Sequence, residues 1–234
     1  MSDTPSDLSH LHVERHGRGP LVLCTHGGAD TGDTWREQVG FLAGLGRTAV
    51  SWDLRGHGRS AAPLDPAYYS RELAVADIGA LVDSTPGPAV LMGHSLGGYL
   101  SLAFALRHPE RVAALVLVAT GPGFRDEAAR AQWNEMARTG ITKGGAPAEA
   151  VGLLAQHDSW VIDNLAAIEA PVLQVVGDGD KMFLRATRYA AEKFSGPVRT
   201  VVVEGAGHHV HRRAAEQVNA AIAAFLNELV PLPA

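Results

Sequence analysis

Six consecutive residues, Gly93-His94-Ser95-Leu96-Gly97-Gly98, constrain this chain more than any other stretch. They follow an apolar run, residues 89–92, and lead into an Ala/Leu-rich helical pattern over residues 99–107. A strand that reverses into a helix around one residue forces that residue into strained backbone, and only small neighbours fit two positions to either side. Here those neighbours are Gly93 and Gly97. Ser95 is then pushed out at the edge of a sheet and at the start of a helix. There the N–H of Leu96 and the positive end of the helix dipole can meet a developing oxyanion. The segment reads as a nucleophile elbow; the strand before it and the helix after it argue against a chance G-x-S-x-G.

The rest of the chain has the pattern such an elbow needs. Apolar runs of strand length at residues 11–15, 21–25, 48–53, 89–92, 112–119, 172–176 and 198–204 alternate with helical patterns around 34–45, 70–84, 95–107, 182–194 and 214–229. Several of the runs are apolar on successive residues, as in strands buried on both faces, and the alternation predicts an α/β fold with a mostly parallel sheet covered by helices. At 234 residues and 46% hydrophobic content, one large domain suffices. With 25 acidic against 20 basic residues and a net charge of -5, the chain offers no basic stripe for nucleic acid. No apolar run approaches the length of a bilayer span, and residues 1–9 lack the apolar core of a signal peptide, so no membrane partner and a cytoplasmic location are expected. The single cysteine, Cys24, lies in an apolar run and reads as a small buried hydrophobe. Nothing in the sequence bears on oligomeric state.

Two loops precede the elbow. His26-Gly27-Gly28 ends the second strand, where a glycine pair lets the backbone bend so that an N–H, that of Gly28 first, faces the mouth of the sheet opposite Leu96. The alternative is an ordinary strand-to-helix turn. Asp53-Leu54-Arg55-Gly56-His57-Gly58-Arg59-Ser60 ends the third strand; inside its Gly-x-Gly turn, His57 is expected to hold loop backbone and not to act as a base.

In order and spacing, HGG, DLRGHGRS and GHSLGG resemble the α/β-hydrolase superfamily. The similarity continues through Val175-Val176-Gly177-Asp178-Gly179-Asp180 and Gly205-Ala206-Gly207-His208. It covers nearly the whole chain outside residues 1–9 and 123–160. It implies the α/β-hydrolase fold, with a central sheet of about seven strands, core segments 1–122 and 161–234, and a short helical cap, of two helices, over 123–160. It further implies a catalytic set of Ser95, Asp180 and His208, with an oxyanion hole from Gly28 and Leu96. Asp178 competes with Asp180 on the same turn; the family pattern, with the acid three residues past the strand-ending glycine, picks Asp180. Haloalkane dehalogenases and epoxide hydrolases of the superfamily carry an aspartate at the elbow, so Ser95 argues against both.

What the resemblance implies is a cofactor-free serine hydrolase acting on a carboxylic ester or lactone of a small apolar molecule. A thioester, an amide or a carbon-carbon bond next to a carbonyl is the alternative, and a hydrolase-shaped ligand-binding receptor is less favoured because no triad position is damaged. Phe124, Trp133, Met136 and Trp160 are the large apolar residues of the cap, expected either to line the substrate pocket or to pin the cap. His209 and His211 invite a metal reading, set aside because no carboxylate or cysteine stands at ligand spacing from them in the sequence.

Overall fold

The computed structural model describes residues 8–229; the ends of the two core segments, 1–7 and 230–234, lie outside the described residues, as does most of the polar N-terminal stretch. Seven strands form one sheet: β1 (Val13–His16), β2 (Leu21–Thr25), β3 (Thr48–Trp52), β4 (Ala89–His94), β5 (Val112–Val118), β6 (Val172–Gly177) and β7 (Val198–Val203). Their order is β1-β3-β2-β4-β5-β6-β7, and β1 alone runs antiparallel to its neighbour. Because β2 leads outward to β3 while β4 returns on the other side, the strand order reverses between β2 and β4. Parallel sheets leave an open crevice at such a reversal, beyond the carboxyl ends of the strands.

Alternation along the strands distributes the core onto two faces. Leu21, Leu23, Leu91 and Leu115 meet the helices α2 (Arg71–Asp83) and α3 (Leu96–Arg107) through residues such as Ile78 and Phe104. Val22, Cys24, Met92 and Val116 point the other way, toward α1 (Arg36–Gly44) and the C-terminal helix Ala215–Leu229, where Leu42, Ile222 and Phe225 lie. Cys24 is fully buried, and burial pushes its thiol pKa up, which makes it an inert packing residue. The helix starts follow local chemistry: Ser70 Oγ accepts the Leu73 N–H at the start of α2. The first turn expected for α1 is instead a 3₁₀ turn, Gly32–Trp35.

Between β5 and β6 the expected pair of cap helices is replaced by one, α4 (Glu127–Gly140), followed by 3₁₀ turns at Ile141–Gly144 and Ala148–Leu153. The Gly144-Gly145 pair, with Gly145 at φ 82°, and Pro147 stop any second helix from propagating. Short α5 (Trp160–Asp163) leads back toward β6; α6 (Lys181–Ala191) follows β6, and α7 (Val210–Arg213) and α8 (Ala215–Leu229) follow β7. Among the described residues no helix is long and apolar enough to cross a membrane.

The third-strand loop is held by a buried ion pair: Arg55 donates to both carboxylate oxygens of Asp77 at 2.5 and 2.8 Å. Removing one partner of such a pair strands the other charge without water. Asp77→Ala should therefore lower the unfolding free energy by about 3–5 kcal/mol, read from urea denaturation. A loss within about 0.5 kcal/mol would mean that Arg55 finds solvent.

Candidate active site

The turn from β4 into α3 is built on two missing side chains. A Cβ on Gly93 would lie 2.4 Å from the Gly97 carbonyl, and one on Gly97 would lie 2.1 Å from the carbonyl oxygen of Thr25 on β2. Ser95 between them has φ 51° and ψ -113°, a conformation that costs a non-glycine residue about 1–3 kcal/mol and persists only where packing over-determines it. Two further ties hold it: the Ser95 N–H donates to Val118 O at 3.0 Å, and Thr120 Oγ1 donates to Ser95 O at 2.5 Å.

That second bond also fixes an amide. In a trans peptide the N–H points opposite to the C=O. With Ser95 O held by Thr120 and by the Gly98 and Tyr99 N–H groups of the first turn of α3, the Leu96 N–H is turned out of the helix start. The Gly27–Gly28 peptide is held in the same way. His26 Nδ1–H donates to Gly27 O at 2.6 Å while its Nε2 accepts the Leu54 N–H at 2.9 Å, which leaves the Gly28 N–H directed away from His26. Next along the chain, Gly28 O accepts from His57 Nε2 at 2.9 Å, and His57 Nδ1 faces Arg55 O at 2.9 Å. Both imidazoles engage loop backbone.

On the far side of the sheet, the turn after β6 presents Asp180. Its Oδ2 lies 2.6 Å from His208 Nδ1, and its Oδ1 caps α6 by accepting the Phe183 N–H at 3.4 Å. Asp178 instead accepts the Gly205 N–H at 2.9 Å, closing the turn between β6 and the His208 loop. His208 stacks on Phe183 with ring centroids 4.7 Å apart, and its carbonyl accepts from His94 Nε2–H at 3.0 Å. The residue before Ser95 thus ties the elbow to the His208 loop. Burial holds the His94 pKa well below the usual imidazole range, and burial together with neighbouring His57 lowers that of His26 to about 4.

Above Ser95 lies a cavity of about 330 Å³, walled by Leu96, Phe124, Trp133, Leu154 and Phe183, with Arg185 its one charged lining residue among those described. Trp133 is locked there by its indole N–H, which donates to Leu154 O at 2.8 Å, and Leu154 in turn overhangs Gly28. Of the four apolar cap residues singled out in the sequence, Phe124 and Trp133 face this cavity and two do not. Met136 is half exposed: the inward line of α4 runs through Arg130, Trp133 and buried Ala137, and a residue three after Trp133 falls off that line. Trp160 packs against the body, with the guanidinium groups of Arg71 and Arg107 5.6 and 5.1 Å from its ring, and pins the end of this segment. Leu154 and Phe183 were missed by sequence reasoning, since their aim is set by a 3₁₀ turn and by the tilt of α6.

In sequence no carboxylate stands near His211, but the fold brings Asp30 to it, together with His94.

The model of the alpha/beta hydrolase fold family matches residues 20–151. An epoxide hydrolase of Caballeronia sordidicola is 41% identical over 106 residues, which cover 45% of this chain and 32% of that protein; the chain thus matches only about a third of that relative's length. Among solved structures, a thermophilic esterase from Thermogutta terrifontis is 25% identical with a TM-score of 0.79, covering 94% of this chain and 93% of the other. The enol-lactonase from Burkholderia xenovorans LB400 is 21% identical with a TM-score of 0.80, covering 93% and 96%.

Buried neutral His26 generates a prediction about acid stability. Its folded pKa, about 4, lies below the ordinary value of about 6.5 that the unfolded chain restores. As pH falls from about 6.5 toward 4 the unfolded state binds the proton first, so stability drops, by up to about 3 kcal/mol from this residue. Urea midpoints measured across that window should fall, and should fall less steeply in His26→Gln; an unchanged slope would remove His26 as the titrating group.

Proposed function

The chain belongs to the alpha/beta hydrolase fold family, and on that premise we propose that it is a serine hydrolase that cleaves a carboxylic ester or lactone of a small apolar molecule. The observation that carries the reading is the Asp180–His208 contact of 2.6 Å; it is supported by Ser95, which has strained backbone and lines an apolar cavity. Ser95 Oγ attacks the substrate carbonyl carbon while His208 Nε2 takes its proton; Asp180 holds the Nδ1–H tautomer and stabilises the imidazolium. The oxygen that becomes negative is received by the N–H groups of Gly28 and Leu96, whose partner carbonyls are already engaged. The C–O bond then breaks, the alcohol leaves with the proton from His208, and water activated by the same ring releases the acid and restores Ser95.

The epoxide-hydrolase relatives do not carry this chemistry over. A serine that opened an epoxide would become an alkyl ether, with no carbonyl for water to attack, and turnover would stop. The cavity wall favours an apolar acyl or alcohol group, with Arg185 alone to greet an anion. The same residues acting on a thioester, amide or carbon-carbon bond beside a carbonyl are the alternative, separated from the first by relative kcat/KM across a substrate panel.

An organophosphonate should label one residue, Ser95, and Ser95→Ala should lose both the label and about 10⁴- to 10⁶-fold of kcat. Labelling that survives the substitution ends the proposal. Asp180→Asn should keep the labelling site yet lower kcat about 10³- to 10⁴-fold, against less than about tenfold for Asp178→Asn; the reverse order would move the acid to Asp178. Trp133→Ala should shift preference toward bulkier acyl chains in a p-nitrophenyl ester series, whereas Met136→Ala should leave the ranking unchanged. Equal effects of the two would place the pocket elsewhere.

A further inference from the structure

At the carboxyl ends of β2 and β4, three polar atoms converge without a partner among the described residues. Asp30 Oδ2, His94 Nδ1 and His211 Nδ1 are each shielded from solvent and find no hydrogen-bond partner there, and ligand atoms from the three residues lie within 4.8 Å of one another. His94 is 1% and His211 0% exposed, so neither can turn to water. Buried polar atoms are as a rule paired, and three exceptions meeting at one point call for a common partner.

The opposite ends of these groups restrict what that partner is. His94 Nε2 faces a carbonyl, that of His208, and must therefore carry the ring's proton; Nδ1 is a bare lone pair. Asp30 Oδ1 accepts the N–H of its neighbour Thr31 at 3.0 Å, which leaves Oδ2 as an acceptor. The guanidinium of Arg212 is 3.9 Å from that oxygen, beyond hydrogen-bond reach. His211 Nε2 lies 2.8 Å from Thr34 Oγ1, which fixes the ring while leaving Nδ1 aimed inward. A Cβ on Gly27 would come within 2.8 Å of His94 Nδ1, so the bare glycine keeps the approach to that nitrogen open. Thr34 Oγ1 can accept as well as donate, so the His211 ring can carry its proton on Nε2 and present a bare Nδ1; in that tautomer the cluster offers three acceptors, one more than the two hydrogens of a water molecule can serve. A cation serves all three.

We propose that Asp30, His94 and His211 form a binding site for one divalent transition-metal ion of the zinc type. Two imidazole nitrogens and one carboxylate oxygen are the donor set such ions take, whereas calcium and magnesium prefer oxygen alone. Around an ion with bonds of about 2.0 Å the three atoms would stand roughly 3.3 Å apart, so the arms draw in from their present spacing. None of the three residues lines the cavity. The ion joins the loop that carries Gly28, the elbow and the segment after His208. The site stands on its own geometry and does not depend on the hydrolase chemistry above.

The test uses tag-free protein stripped with a chelator and titrated with Co²⁺ and Zn²⁺. Binding of one equivalent with the visible absorption of low-coordinate Co²⁺ is expected, as is a rise in Tm of about 5 °C or more when Zn²⁺ is present at a hundredfold excess over its Kd. His211→Ala and Asp30→Ala, each checked for folding by circular dichroism, should weaken binding at least tenfold, while His209→Ala should not. Absence of the Co²⁺ band and of the Tm shift in the unmodified protein would overturn the proposal and assign the cluster to an ordered water. Binding that persists unweakened in both variants would equally overturn it, placing the ion on surface histidines. Should both alanine variants misfold, His211→Gln and Asp30→Asn carry the same comparison, and the wild-type titration decides the presence of the ion by itself.

Discussion

A close backbone approach, a helix start pressed onto a strand end, is what the rest of the site depends on. Gly97 lies where any side chain would collide with the Thr25 carbonyl of β2, and Gly93 where any would collide with the Gly97 backbone. That contact forces Ser95 into positive φ and brings the first turn of α3 against the reversal point between β2 and β4. Because β2 and β4 pair directly, from Val22 with Val90 to Thr25 with Gly93, the loop at 26–31 has no choice but to end beside the elbow. The strain at one residue is held by the packing of two layers of helices.

Buried histidines then act as struts. His26 spans from the Gly27 carbonyl to the Leu54 N–H, His57 from Arg55 to Gly28, and His94 from the elbow to the His208 carbonyl. His26 shows why an imidazole suits this work: a neutral ring offers a donor to the Gly27 carbonyl and an acceptor to the Leu54 N–H on opposite sides of a rigid plane, whereas His57 faces two carbonyl oxygens. Burial keeps His26 and His94 in that state by penalising the charged form. These struts aim peptide groups: with Gly27 O and Ser95 O occupied, the two N–H groups on the other side of those peptides have fixed directions before any ligand arrives. Preorganisation of this kind avoids reorientation at the moment charge develops.

The segment 123–160 between β5 and β6 is built more loosely. It contains one α-helix where two were expected, and side-chain ties replace continuous helix packing: Asn134 exchanges hydrogen bonds with the Gln156 backbone, while Gln156 Oε1 accepts the Phe124 N–H. Toward the cavity it presents Phe124, Trp133 and Leu154. A short segment fastened by a few polar contacts leaves cavity size sensitive to single side chains.

All seven strands and the five main helices of the body were legible in the sequence, within a residue or so at most ends, because each is written in local periodicity and punctuated by Gly, Pro or a capping side chain. The elbow was legible for the same reason, since its glycines clash with atoms only a few residues away or on the adjacent strand. What the tertiary structure decided are meetings across long separations. The sequence put Asp178 and Asp180 on one turn and only the family pattern picked Asp180; the fold brings Asp180 to a ring 28 residues away and Asp178 to the Gly205 amide. Met136 and Trp133 shared a helix face by spacing, but only the docking angle of α4 determined which of them looks inward. Asp30 and His211 are distant in the chain and carry no common motif; they meet because β2 and β4 are neighbours and α7 folds back over their ends. Local backbone preferences depend on nearest neighbours and can be read in order, whereas such encounters depend on how rigid elements cross, which no short stretch of sequence encodes.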